Sequence, residues 1–273
     1  MKNVILFGYG KMGSSIAKGW LLKKLDFNFF VVEKQANLRE EAIKDGFNSF
    51  ANIEQISNIN DFDIIFLAVK PQQMKITVKQ FETLDFTETI FISIAAGLSV
   101  SWFKNKIDEN IKIVRAMPNL PASVGKGVTG YCITKNLNIN EEKNVFTLLS
   151  SFGKAIYLEN EALIDVVTAI SGSGPAYIFY LVEILSKIGK KQGLKEKDAK
   201  SLAVETLIGS AKLLEKSNLD ARTLRHNVTS PGGTTEAGLE VLASEQSGLY
   251  SLLNSTVQSA KKRAEDLNLS DFK

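Results

Sequence analysis

Six residues near the N-terminus, GYGKMG, constrain this chain more than any other stretch. They follow NVILF, a short apolar and β-branched run from Asn3 to Phe7 that reads as a buried strand. They precede SSIAKGWLLKK, in which Ile16, Ala17, Trp20 and Leu21 share one face of a helix. Strand, glycine turn and helix in that order put Gly8, Gly10 and Gly13 in the G-x-G-x-x-G spacing of a dinucleotide site. The first glycine allows the tight turn, the second lets a pyrophosphate approach the backbone, and the third lets helix and strand pack closely. Free N–H groups at the helix start then bind phosphate oxygens. With no ligand, the same residues would still make a glycine turn that packs a helix on a sheet.

The alternation continues. FNFFVVEK reads as a second strand ending at Glu33, twenty residues beyond Gly13. An acidic residue there accepts hydrogen bonds from the adenosine ribose and repels a 2′-phosphate, which argues for NAD. Lys34 follows at once and offsets that repulsion, so NADH and NADPH both stay open, as does a plain solvated strand end. AIKDGF closes a helix with a C-terminal glycine. FDIIFLAVKP, ETIFISIAAGLS and IKIVRAMPNLPASVGKG are further strands running into turns, and NVFTLLSSFGKAIYL reads as helix then strand. Strands alternating with helices predict a doubly wound, mainly parallel sheet, the α/β Rossmann arrangement. Ligands of such sheets sit beyond the carboxyl ends of the strands, where Lys70-Pro71, Ala95-Ala96-Gly97 and Pro118-Asn119 fall. Small residues there admit a flat ring or sugar. Lys70 is placed to touch phosphate or ribose, or else is a solvated lysine.

After Leu158 the strand pattern stops. The expected division is a Rossmann domain over 1–158 and an all-helical domain over 159–273. NEALIDVVTAISGSGPAYIFYLVEILSKIGKKQG gives two apolar helical segments around SGSGPA. EKDAKSLAVETLIGSAKLLEKS, DARTLRHN, TTEAGLEVLAS and GLYSLLNSTVQSAKKRAEDL complete the set. VVTAISGSGPAYIFYLVEIL is apolar nearly all round, so it should be buried on most sides. A domain of 115 residues rarely buries one helix so fully, and a subunit interface would. Gly172, Gly174 and Pro175 should kink this helix or clear room for another backbone; the alternative is a kinked core helix in a monomer.

Other chemistries find little support. Lys+Arg 33 against Asp+Glu 30 gives a net charge of +3, too balanced to argue for nucleic acid or an anionic membrane. Cys132 is the sole cysteine, which excludes an internal disulfide and fits a reducing, cytoplasmic location. With no basic neighbour in GVTGYCIT it reads as a small half-buried residue rather than a catalytic thiol. The N-terminus is no signal peptide, and no stretch approaches the roughly 20 apolar residues of a membrane span. His226 is the only histidine and no Cys/His cluster exists, so no metal site is expected.

NVTSPGGTTEAGL, from Asn227 to Leu239, carries the second constellation. A proline and two adjacent glycines free successive N–H groups ahead of a helix, with Thr234 as its expected N-cap. One hydroxyl suffices for a cap, yet Thr229, Ser230, Thr234 and Thr235 crowd together. Exposed N–H groups and the helix dipole make an anion site for which a carboxylate is a natural occupant. A dinucleotide site, a small-anion site, no placed histidine and no metal suit hydride transfer to a C=N bond. An iminium carbon is already electrophilic, so the protein mainly aligns donor and acceptor.

GYGKMG, FLAVKPQ, SIAAG, RAMPNLPA, SGSGPAY and VTSPGGTTEAGL, in this order, span the chain. On these stretches it resembles the pyrroline-5-carboxylate reductase family, the last enzymes of proline biosynthesis. The resemblance implies reduction of 1-pyrroline-5-carboxylate by NADPH or NADH, with an N-terminal Rossmann domain and a helical domain that forms an interlocked dimer, often assembled into rings. It places Gly8, Tyr9, Gly10, Lys11, Met12 and Gly13 on the pyrophosphate. Asn52, Ala68, Val69, Lys70, Pro71, Ala95 and Ala96 would line the path from adenosine to nicotinamide, beside Glu33 and Lys34 as read above from the strand end, and Asn227 would reach the cofactor from the helical domain. Ser230, Gly233, Thr234 and Thr235 would hold the substrate, with Thr235 beside the ring nitrogen as proton donor or relay. Two departures from the family stand out. Glu33 puts NADP preference in doubt. Glu236 occupies a position often apolar, where it suits the helix dipole and should not touch the chemistry. Two rivals share the fold plan: a β-hydroxyacid dehydrogenase using Lys187, Lys190 or Lys191 as base, and a non-catalytic nucleotide sensor.

Overall fold

The computed structural model describes residues 1–56, 59–81, 86 and 88–270. Its first part alternates as expected: β1 (Lys2–Phe7), α1 (Lys11–Leu22), β2 (Phe27–Val32), α2 (Ala36–Lys44), β3 (Asn48–Phe50), β4 (Ile64–Leu67), α3 (Pro71–Val78), β5 (Ile90–Ser93), α4 (Val100–Lys106) and β6 (Lys112–Met117). Then come β7 (Gly127–Ile133), α5 (Ile139–Ser150) and β8 (Gly153–Tyr157). The strands form one sheet in the order β3-β2-β1-β4-β5-β6-β7-β8. The first six run parallel. β7 turns back antiparallel to β6, and β8 follows β7 in parallel.

Alternate side chains of the central strands bury on opposite faces. Val4, Leu6, Ile64 and Phe66 join Ile16, Trp20, Val145, Leu148 and Phe152 in one core. Ile5, Phe7, Ile65 and Leu67 join Met74, Phe81, Phe91 and Phe103 in the other. Covering both faces explains why NVILF and DIIFL are continuous apolar runs rather than alternating ones. Trp20 anchors the first core. Its ring stacks on Phe29 at a centroid distance of 4.8 Å, and its Nε1–H donates to the Leu148 carbonyl at 3.3 Å.

The start of α5 is fixed by a reciprocal cap. Asn138 Oδ1 accepts the Glu141 N–H at 3.1 Å, and Glu141 Oε2 accepts the Asn138 N–H at 2.8 Å. Asn138→Ala should lower the unfolding free energy by about 1 kcal/mol. Urea denaturation checks this; an unchanged midpoint and slope would mean that the cap does not hold α5.

The chain separates into two compact units. One holds residues 1–173 together with the last helix from Ala260 on; the other holds Gly174–Ser259. This division falls later than the 158/159 boundary read from sequence. α6 (Leu163–Val167) is helical yet belongs to the sheet's unit, because Ile164 is buried with Met117 and Cys132. Asn119 ties the next turn to the same unit: its Nδ2–H donates to the Ser171 carbonyl at 3.0 Å. That turn, Thr168–Gly172, is π-helical, closed by the Ser173 N–H on the Thr168 carbonyl at 2.8 Å. The interruption expected at Gly172, Gly174 and Pro175 is therefore a π-bulge leading into α7.

The second unit comprises α7 (Gly174–Lys191), α8 (Glu196–Lys216), α9 (Ala221–Asn227), α10 (Thr234–Leu242) and the first part of α11 (Leu249–Ser270). The single chain does not bury α7 as its composition predicts: none of its residues is buried, and Phe179 and Tyr180 are each 59% exposed. α8 closes on α7 where Gly189 meets Ala199, and that covers one flank only. Large apolar side chains left in water over this much of a helix pair mark an interaction surface.

Candidate active site

The sheet order reverses between β1 and β4, and the cleft opens at that point beyond the strand ends. Gly8, Gly10, Glu33, Lys34, Ala68, Val69 and Lys70 line it. Gly8 has φ +96°, a left-handed conformation that favours glycine. Its N–H donates to the Val32 carbonyl, and the Ala68 N–H to the Phe7 carbonyl, each at 2.8 Å, which stitches the turn to β2 and β4. A Cβ on Gly13 would lie 2.1 Å from the Gly8 oxygen, so the start of α1 rests directly on the turn. A Cβ on Gly10 would meet nothing within 4 Å. Gly10 is also the N-cap of α1, and no side chain caps the helix there. Bare backbone, open space and uncapped N–H groups fit a pyrophosphate.

The other residues expected around the cofactor are placed more variously. Tyr9 points into the core: its hydroxyl donates to Asp45 Oδ2 at 2.7 Å, and burial, then Asp45, hold its phenol above the ordinary range. Only its backbone faces the glycine turn. Lys11 is exposed, and Met12 packs against the first core. Lys70 is the exposed N-cap of α3, with Pro71 in the first turn. Ala95 is buried, and Ala96 packs beside Met117 and Cys132. Asn52 caps a short 3₁₀ turn, and its Oδ1 is buried with no hydrogen-bond partner among the described residues. A buried acceptor left in that state calls for a donor. Glu33 is not a solvated strand end: it is only 8% exposed, and backbone N–H groups hold its carboxylate. Gln73, Thr77 and Gln80 also line the cleft. Their polar spacing along one face after Lys70-Pro71 is the signal that would have found them.

In the second unit, Asn227 ends α9, and the SPGG turn leads into α10. Gly233, not Thr234, is the cap. It is extended (φ −87°, ψ 170°), its N–H donates to the Ser230 carbonyl at 3.0 Å, and Thr234 becomes the first helical residue. The fold-back decides this, since a Cβ on Gly233 would lie 2.7 Å from Ser230 Oγ. Gly232 takes φ +70° to make the turn. The Thr229 hydroxyl is turned to the Arg225 carbonyl at 2.7 Å and so serves α9. Thr234 and Thr235 are exposed at the mouth of α10, whose start has no side-chain cap. Glu236 reaches back: its Oε2 accepts the Gly232 N–H at 2.6 Å. A carboxylate thus already sits on one of the turn's donors.

The alternative chemistries fare poorly. Lys187 is exposed, and its bond to Glu183 holds its ammonium above the ordinary value, the reverse of what a general base needs. Lys190 is paired with Glu196 at 2.6 Å. Burial, then Glu161, push the Cys132 thiol up to about 11, so it stays protonated at neutral pH. Among the described residues no His/Cys/Asp/Glu group could hold a metal ion, and no helix is long and apolar enough to cross a membrane.

A pyrroline-5-carboxylate reductase from Staphylococcus saprophyticus is 33% identical to this chain over 272 residues, 98% of each. The chain belongs to the pyrroline-5-carboxylate reductase family. The family model described as pyrroline-5-carboxylate reductase dimerisation matches residues 161–267, and one described as NADP oxidoreductase, coenzyme F420-dependent, matches residues 3–97. A pyrroline-5-carboxylate reductase from Haemophilus influenzae is 33% identical, covering 95% of this chain and 93% of that one. Among solved structures, the pyrroline-5-carboxylate reductase of Coxiella burnetii superposes with a TM-score of 0.90 at 30% identity, covering 98% of this chain and 99% of that one. The pyrroline carboxylate reductase of Plasmodium falciparum, solved with NADP bound, superposes with a TM-score of 0.81 at 29% identity, covering 98% of each.

Proposed function

We propose that this chain reduces 1-pyrroline-5-carboxylate to proline. The observation that carries the reading, beyond family membership, is the turn at Ser230–Thr235. Gly232 and Gly233 fold the backbone so that the start of α10, which no side chain caps, opens beside the turn with its N–H groups and the two threonine hydroxyls. That is a receptor for a small carboxylate with a hydrogen-bonding group beside it.

Gly8, Gly10 and Gly13 cradle the pyrophosphate, and Glu33, Lys34, Asn52, Ala68 to Pro71, Ala95 and Ala96 guide the remainder of the nicotinamide cofactor. When bound, its reduced ring supplies the hydride that the imine carbon accepts. Ser230, Gly233 and Thr234 hold the substrate carboxylate and ring. Thr235 donates a hydrogen bond to the ring nitrogen, which must gain a proton as the carbon gains hydride. No group with a near-neutral pKa is required, because the C=N carbon is activated already. The exposed apolar faces of α7 and α8 associate with a second copy, giving a dimer. A cofactor deuterated at the nicotinamide C4 should give proline labelled at the former imine carbon; unlabelled proline would exclude direct hydride transfer.

Glu236 bears on substrate affinity. Its carboxylate competes with the substrate's for the same turn, and Glu236→Gln keeps an acceptor for the Gly232 N–H while removing the charge. KM for the imine should fall about two- to fivefold, with a weaker dependence on salt. An unchanged or higher KM at low ionic strength would contradict that repulsion.

A further inference from the structure

We propose that Glu33 makes this chain select NADH over NADPH, its carboxylate being locked by two backbone N–H groups at the rim of the β1/β4 cleft. The inference rests on reading that cleft as the nicotinamide cofactor's. Glu33 Oε2 accepts the Tyr9 N–H at 2.7 Å and Oε1 accepts the Gln35 N–H at 2.9 Å. The first bond joins the carboxylate to the glycine turn after β1, and the second to the entry of α2. Its backbone is fixed as well: the Glu33 N–H donates to the Phe50 carbonyl at 2.9 Å, and its carbonyl accepts Arg39 Nη1–H at 3.0 Å. The residue is only 8% exposed, yet it lines the cleft beside Gly8 and Gly10.

A carboxylate has about four acceptor sites, so the two N–H bonds leave acceptor capacity for a vicinal diol, whose two hydroxyls donate. A 2′-phosphate offers only acceptors and negative charge. Against a mobile surface glutamate such a group would displace the side chain; this one cannot swing away without losing both backbone bonds. The cations nearby do not cancel it. Arg39 directs Nη1 at the carbonyls of Glu33 and Lys34, at 3.0 and 2.7 Å. Lys34 and Lys70 are exposed, where water and salt screen them.

The test is direct binding, read by nicotinamide fluorescence on the full chain, with NADH and NADPH titrated separately. NADH should bind at least about tenfold more tightly, the ratio set by roughly 1.4 kcal/mol. A smaller ratio, a preference for NADPH, or binding of neither overturns the proposal. Glu33→Ser and Glu33→Gln should each raise the affinity for NADPH relative to NADH, with thermal melts showing that the fold survives. Arg39→Ala provides a second check that leaves Glu33 in place. The NADPH:NADH ratio should not change, and a specific loss of NADPH binding would assign Arg39 to a 2′-phosphate instead. NADH selectivity without turnover of the imine would uphold this inference and reject the reductase reading, so the two fail separately.

Discussion

Thr235→Ala should lower kcat with pyrroline-5-carboxylate by about 10- to 1000-fold, equivalent to roughly 1.4–4 kcal/mol of transition-state stabilisation. The expectation follows from what the reaction demands. Hydride delivery to the imine carbon and proton delivery to its nitrogen must coincide in one orientation, and Thr235 is the exposed hydroxyl at the second position of α10, next to the turn proposed to hold the carboxylate. The fold should be untouched, because the side chain is exposed and does not cap the helix. Cofactor affinity should stay at the wild-type value. Thr235→Ser, which keeps the hydroxyl, should recover most of the rate. A Thr235→Ala enzyme with full kcat would remove Thr235 from the chemistry. One with unchanged kcat and a raised KM would leave it only a binding role.

Gly13→Ala should weaken nicotinamide cofactor binding by about 100-fold or more, roughly 2.7 kcal/mol, and lower the melting temperature as well. The new Cβ would stand 2.1 Å from the Gly8 oxygen, backbone against backbone, with no flexible side chain to give way. Either α1 lifts from the turn or the turn opens, and both move the N–H groups proposed to meet the pyrophosphate. Gly10→Ala separates site from fold. Its Cβ meets nothing within 4 Å and its φ of −66° suits alanine, so stability should hold while the methyl group intrudes on the cleft and affinity falls. Calorimetric melts and fluorescence titrations distinguish the two. Wild-type affinity in Gly13→Ala would mean that the glycine turn is only a packing device.

The glycine turn was legible because its geometry depends on local φ angles and on contacts between residues five apart, which spacing encodes. The central strands were legible for a similar reason: buried on both faces, they become continuous apolar runs. β7 hides in a glycine-bearing stretch after a Pro/Gly loop, and it is held by pairing antiparallel to β6 and parallel to β8, contacts that its own spacing does not encode. The fixed state of Glu33 was not legible either. Its charge and position can be read, but its partner N–H lies 24 residues away on Tyr9. The same holds at α10, where hydroxyl content points to Thr234 as the cap and the fold-back of Gly233 on Ser230 decides otherwise. α7 is the opposite case. Its composition describes burial that the single chain does not provide, because the expected cover is a second copy. Sequence spacing carries contacts within one element well and contacts made by folding or assembly poorly.

The most direct test of the central claim is turnover itself: consumption of NADH or NADPH by the purified chain with pyrroline-5-carboxylate, followed by loss of the reduced-nicotinamide absorbance and by recovery of proline. One proline formed per reduced cofactor consumed, faster with NADH at equal concentrations, is the predicted result. Tight cofactor binding with no proline formed, or oxidation of a hydroxyacid in its place, would contradict the account.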